Sequence, residues 1–170
     1  MISKNYKNWI AILDLFTCYV CRSEHGQVYE MDEYMFNEPP VHPHCRCKIK
    51  PMKAWIAGTA TEQKGNGADW WLKHTGKLPE YYIIEADAKN LGYRRRKGNL
   101  GVVAPGKMLT KGIYHNDNGH LPSSPGRIWF EADINYNPLM GYRGTDRILF
   151  SNDGLIFVTY DHYHTFEEIV

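Results

Sequence analysis

Gly126-Arg127-Ile128-Trp129-Phe130-Glu131-Ala132-Asp133-Ile134-Asn135-Tyr136 is the stretch whose pattern decides the fold. From Ile128 to Ile134 side chains alternate with the period of two of an extended strand. Trp129, Glu131 and Asp133 fall on one face, and Ile128, Phe130, Ala132 and Ile134 on the other. Working outward, Arg147 to Phe150 and Leu155 to Tyr160 read as two further strands. Asn152-Asp153-Gly154 lies between them, and such residues accept the backbone of a tight hairpin turn. Upstream, Ala68 to His74 reads as a short helix with Asp69 in its first turn and Gly76 just past its end. After a Lys77-Leu78-Pro79 turn, Glu85 to Leu91 reads as a second short helix closed by Gly92, and everything later reads as strand. Short helices followed by an antiparallel meander predict an α+β domain over residues 68–170.

Apolar residues make up 43% of the 170-residue chain and aromatic ones 14%, ample for a packed core and contrary to disorder. No apolar run reaches the length of a membrane span, so no membrane partner is expected. The apolar patch from Trp9 to Phe16 contains Asp14 and leads straight into a Cys pair, unlike a signal peptide. Net charge is +1, but its distribution is uneven. Seven Lys or Arg and no acid lie between Lys89 and Lys111, while the last twenty residues hold four acids and no Lys or Arg. The basic segment is either a phosphate-attracting face or a solvated loop.

All four cysteines precede residue 48, as Cys18-x-x-Cys21 and Cys45-Arg46-Cys47. This clustering predicts a Cys/His module over residues 1–50, built from a short helix or strand, a Cys knuckle and a Pro-rich return. A linker follows at 51–67, where Gly58, Gly65 and Gly67 fall among small and polar residues. Cys18, Cys21, His42, Cys45 and Cys47 offer five ligands to a structural zinc that needs four, with Cys45–Cys47 and His42–Cys45 as competing second pairs. Disulfides are the alternative in an oxidising compartment. A redox-active pair lacks the surrounding βαβ pattern.

In the second domain Glu131 lies mid-strand, His162 follows the last long strand, and Arg143 and Arg147 flank a turn. Singly, each has an ordinary explanation: a solvated carboxylate, a surface histidine, arginines paired with Asp146 or Asp133. Together they meet the needs of RNA cleavage by side chains alone. That reaction takes a base for the 2′-hydroxyl proton, an acid for the leaving 5′-oxygen and cations for the phosphorane. Arginine suits the last role because its planar fork matches two phosphate oxygens at once.

The stretch Gly126–Tyr136 resembles the barnase and binase family of microbial ribonucleases. So do Gly141-Tyr142-Arg143-Gly144-Thr145-Asp146-Arg147-Ile148-Leu149, the segment from Thr159 to Phe166, and Lys97-Gly98-Asn99-Leu100 with Ala104-Pro105-Gly106-Lys107, in register over residues 68–170. The resemblance implies that fold, with Glu131 as general base, His162 as general acid, and Arg143 and Arg147 on the phosphate. It also implies Tyr163, Asn116, Asn118 and Lys97 in contact with substrate, a 2′,3′-cyclic phosphate product that is then hydrolysed, and no catalytic cofactor. Asp133 is expected to tie down a neighbouring loop. Three positions depart from the family pattern. Glu85 stands where a catalytic-site lysine is usual, Asp117 replaces an arginine, and Asn118 replaces the glutamate that accepts guanine N–H groups. Weaker transition-state binding and relaxed guanine preference follow.

Thr17-Cys18-x-x-Cys21, Gly26 and Pro39-Pro40-x-His42-Pro43-x-Cys45-Arg46-Cys47 are similar to the C-terminal motif of Mu-type phage head-morphogenesis proteins. The two resemblances together imply a ribonuclease toxin joined to a phage-head-type module. RNA, a barstar-like inhibitor of altered charge and phage head proteins are its expected partners. It would reside in the cytoplasm of its producer or be carried in a particle. The rival expectation is a non-catalytic interaction protein on a ribonuclease scaffold. A zinc nuclease using His162 and His164 lacks further ligands at metal spacing.

Overall fold

A computed structural model describes residues 3–170, which fall into two units, residues 3–54 and residues 55–170. In the first, strands β1 (Ser3–Ile10) and β2 (Val28–Glu30) pair antiparallel, Tyr6 opposite Glu30. Helix α1 (Tyr19–Glu24) lies between them in sequence, and β3 (Lys48–Trp55) lies on the other side of β1. Trp9, Tyr6, Met35 and Cys21 are buried. The opening segment, read as helix or strand, is therefore a strand, and Cys18 caps α1 by accepting the Cys21 N–H.

The stretch 51–67, expected to be a linker, is instead ordered. β3 runs through it to Trp55, and the residues beyond wrap onto a buried carboxylate. Asp69 accepts the N–H groups of Gly58 and Ala60 at 2.7 and 2.9 Å and the Thr61 hydroxyl at 2.7 Å. Trp55 and Ala57 also exchange backbone hydrogen bonds with Val170. Small residues that suggest flexibility are what let the backbone approach. A Cβ at Gly67 would collide with the Thr61 hydroxyl and the Asp69 carboxylate.

The second unit is α+β, as expected. α2 (Ala68–Thr75) ends on Gly76 at φ +69, and α3 (Glu85–Asn90) is followed by Gly92 at φ +98. Six strands run in the order β4 (Tyr82–Ile84), β5 (Met108–Tyr114), β6 (Trp129–Asp133), β7 (Arg147–Ser151), β8 (Ile156–Thr159) and β9 (Glu167–Ile169). The sheet is antiparallel except at its edge, where β4 runs parallel to β5. Three helical turns interrupt the region expected to be all strand. Two are 3₁₀ turns, at Arg95–Lys97 and Pro138–Met140, and the other is α4 (Leu100–Val103), which stops before Pro105.

Alternation along β6 sorts the core. Ala132 and Ile134 join Ile148, Val158, Ala68 and Leu72 under α2. Trp129 packs with Leu121 and Leu149, flanked by Tyr114 and Tyr163. Glu131 lies two residues along from Trp129 and opposite Leu149, so it sits on the floor of that second face.

Candidate active site

Glu131 is not the solvated strand carboxylate its position alone suggests; it is 7% exposed. Its oxygens have separate partners. Oε2 accepts the Tyr163 hydroxyl at 2.6 Å, and Oε1 lies 2.9 Å from the Lys111 ammonium. Lys111 arrives there through a bulge in β5. Register steps from Thr110 opposite Ala132 to Gly112 opposite Glu131, leaving Lys111 as the extra residue. Gly112, at φ +86, supplies a backbone conformation that side chains resist. Sequence reasoning did not single out Lys111, because a bulge breaks the two-residue period. Its sole signal was Lys-Gly inside a strand.

His162 follows β8 in a loop organised by Asp161. The Asp161 carboxylate accepts the Thr165 hydroxyl at 2.6 Å, the Thr165 and His164 N–H groups at 2.9 and 3.0 Å, and the Thr159 hydroxyl at 2.9 Å. These donors, Thr165 foremost, hold its carboxyl far below the usual range. The loop lifts His162 and Tyr163 into consecutive left-handed conformations, φ 57 and 73. Such strain in non-glycine residues costs about 1–3 kcal/mol each and clusters at functional sites. The Tyr163 ring stacks on Tyr114 with centroids 5.5 Å apart and lies 4.8 Å from the His162 ring. Tyr163 thus spans Glu131 and His162. Burial and the Glu131 carboxylate raise its phenol pKa, so it remains a donor. Partial burial lowers the His162 pKa, and the Arg147, Lys111 and His164 charges add to that effect against an opposing pull from Glu131.

Asp133 is fully buried and does what was expected of it, tying a loop. Arg143 grips it through both Nε and Nη2, the latter 2.5 Å from Oδ1. Arg147 Nε lies 3.0 Å from Oδ1, an ion contact out of hydrogen-bond alignment. Arg147 also donates to the carbonyls of Asp146 and Gly144 at 2.7 and 3.1 Å. The ordinary pairing with Asp133 is therefore present, and one anion between two cations leaves a unit of positive charge over. Arg143 Nη1 is buried and has no hydrogen-bond partner. Both guanidiniums line a groove with His162, Tyr142, Thr145 and Arg95.

A second groove, lined by Tyr114, Asn116, Asp117 and Asn118, ends on Glu131 and Tyr163. Asn116, at φ 50, uses its amide on both the N–H and the carbonyl of Leu121, so it shapes the loop. Asn118 accepts the His120 N–H at 3.2 Å and donates to the Tyr114 hydroxyl at 3.3 Å. Lys97 is exposed at the end of its 3₁₀ turn, and it is Arg95 from that turn that lines the groove beside His162. Gly98 presses its backbone on Gly141, joining this basic turn to the arginine loop with no room for a side chain. Glu85 pairs with Lys89 at 3.1 Å. Burial works to raise its pKa, but Lys89, Arg143 and Arg95 outweigh that and hold it low.

In the first unit the five expected metal ligands converge. Cys18, Cys21 and His42 form one close group, and Cys21, Cys45 and Cys47 another. Cys21 Sγ lies 3.4 Å from His42 Nε2 and 3.8 Å from Cys45 Sγ, and all four thiols are free. Tetrahedral zinc bonds of about 2.3 Å to sulfur and about 2.0–2.1 Å to nitrogen imply edges of roughly 3.5–3.8 Å, so the donor set fits the ion. His42 Nδ1 is 2.8 Å from the Pro43 carbonyl, which leaves Nε2 facing the sulfurs.

The sequence model of a family described as ribonuclease matches residues 67–170. Over 102 residues the chain is 46% identical to a ribonuclease of Heyndrickxia coagulans, covering 60% of this chain and 91% of that protein. Identity is also 46% over 102 residues to ribonucleases of Bacillus intermedius and Bacillus pumilus, again over 60% of this chain, which spans 61% of the length of each. Among solved structures, ribonuclease Sa2 with guanosine-2′-cyclophosphate matches at 21% identity and a TM-score of 0.30, over 52% of this chain and 94% of that one. Through residues 67–170, with the strand carboxylate, the arginine loop and the Asp161–Phe166 segment in place, the chain belongs to the ribonuclease family and carries an endoribonuclease domain of the barnase type.

Proposed function

We propose that the whole protein cleaves single-stranded RNA with Glu131 as base and His162 as acid. The observation that carries this is the placement of Glu131: nearly buried, held between a phenol and an ammonium, with His162 beside the same tyrosine ring. Glu131 takes the 2′-hydroxyl proton as the 2′-oxygen bonds to phosphorus. His162 then gives its proton to the 5′-oxygen as the P–O5′ bond breaks, leaving a 2′,3′-cyclic phosphate. Water opens the cyclic ester with the two roles exchanged. Arg143 and Arg147, already oriented by Asp133, hold the phosphate oxygens without reorganising. Side chains supply every proton and charge these steps require. The nucleoside on the 5′ side lies in the Asn116–Asn118 groove, where Asn118 offers an uncharged acceptor and weak guanine preference.

Cleavage of a mixed-sequence RNA in EDTA, with end-group analysis, tests this. Cyclic-phosphate ends from wild type and none from Glu131→Ala or His162→Ala are expected. Intact RNA at every pH tried would leave a binding module on a ribonuclease scaffold.

For the first unit the proposal is a structural zinc on Cys18, Cys21, Cys45 and either His42 or Cys47. Metal analysis and loss of α1 signal on chelation are the expected results. With the motif similarity to phage head-morphogenesis proteins, this supports a toxin borne by a phage-type module, restrained in its producer by an inhibitor matched to Asp117. Co-purification of the chain with phage head proteins, or with a small inhibitor encoded beside it, is the corresponding test.

A further inference from the structure

We propose that Lys111 is a catalytic residue whose ammonium is held by Glu131 in the resting site and turns to the phosphorane oxygens once Glu131 has taken the 2′-hydroxyl proton. The inference rests on Glu131 being the base. Lys111 Nζ lies 2.9 Å from Glu131 Oε1, with its side chain 22% exposed and that of the glutamate 9%. An ammonium so far withdrawn from water needs a compensating anion, and Glu131 provides one only while ionised. Placing it there interrupts the β5–β6 ladder, for Lys111 occupies the bulge between Thr110 and Gly112. The Lys111 charge also reaches His162, where it helps to lower the ring's pKa, so it faces both reacting partners.

Charge accounting gives the role. In the resting site Lys111 and Glu131 sum to zero. As the 2′-oxygen attacks, its proton passes to Glu131, the O2′–P bond forms, and the phosphate gains one negative charge. At that moment the pair's charge becomes +1. The P–O5′ bond then breaks, and the His162 proton goes to O5′. Arg143 and Arg147 are fixed by Asp133 throughout, so the charge they present is the same in ground state and transition state. Lys111 contributes a charge that appears only as the transition state forms, the kind of interaction that raises kcat rather than lowering KM.

The test has a kinetic and a binding arm, both on the full chain. Lys111→Met should lower kcat by about 100-fold or more with KM within about threefold, while Lys111→Arg keeps activity within about tenfold of wild type. Lys111→Gln replaces Lys111→Met if urea unfolding shows that variant to be unfolded. In the binding arm, calorimetry with a nucleoside 3′-monophosphate should find Glu131→Gln binding about tenfold tighter than wild type, because the ammonium is already released. That gain should vanish in Glu131→Gln/Lys111→Met. A Lys111→Met kcat within about threefold of wild type would overturn the proposal, as would nucleotide affinity in Glu131→Gln that ignores Lys111. Wild type that cleaves no RNA would sink the ribonuclease reading, and the binding arm would then decide the fate of the Lys111 charge alone.

Discussion

Replacing Asp133 by Ala removes the one anion between two guanidiniums whose side chains are 11% and 3% exposed. Taking one partner from a buried ion pair costs about 3–5 kcal/mol, because the charge left behind regains little water. A domain of this size is held by about 5–15 kcal/mol in all, so the loss is roughly a fifth or more of its stability. The melting temperature should fall by roughly 10–25 °C. Urea unfolding of the full chain in phosphate-free buffer measures the change, read as a lower midpoint at constant slope. Phosphate then supplies a second reading. An anion in the groove can replace the lost carboxylate, and at 100 times its Kd it stabilises by about 2.7 kcal/mol. The variant should therefore gain more from phosphate than wild type, whose arginines already have Asp133. A loss below about 1 kcal/mol, within the range of an exposed pair, would refute the reasoning and mean that both arginines reach water.

Other outcomes follow from the same geometry. The alkaline limb of kcat/KM should report a His162 pKa below 6.5, and Lys111→Met should move that limb to higher pH, since losing a neighbouring cation favours the protonated ring; a limb that stays put would separate Lys111 from His162. Arg95→Ala should weaken binding of single-stranded RNA most at low salt and flatten the log Kd against log salt slope by about 0.7, the signature of one lost phosphate contact. Asn118→Glu should raise guanine preference in dinucleotide cleavage by roughly 5–30-fold, because a hydrogen bond to a charged acceptor is stronger by about 1–2 kcal/mol.

What the sequence made legible was what repeats locally. The alternation around Glu131, the helices closed by Gly76 and Gly92, and the Asn152–Gly154 turn each lie within a few residues of the signal that reveals them. Three features escaped. β4 is three residues long and exists through its parallel pairing with β5, which no local period records. The stretch 51–67 resembled a linker because its small residues serve a carboxylate, Asp69, whose role as acceptor shows only in space. Lys111 was counted in a basic segment, yet the bulge sends it inward to Glu131 while Arg95 and Lys97 remain exposed. Arg143 and Arg147 were legible as residues, but their sharing of Asp133 was one of two pairings the sequence left open.

The left-handed backbone at His162 sets stability and activity against each other at a single codon. Glycine there would relax the chain and gain on the order of 1 kcal/mol, and on the proposed mechanism it would remove the proton donor. At Tyr163, strained likewise, the lost stack on Tyr114 and hydrogen bond to Glu131 outweigh the relief. Selection of this domain for heat resistance alone would therefore enrich inert variants at His162. A thermostabilised form that still cuts RNA must find its improvements elsewhere in the fold.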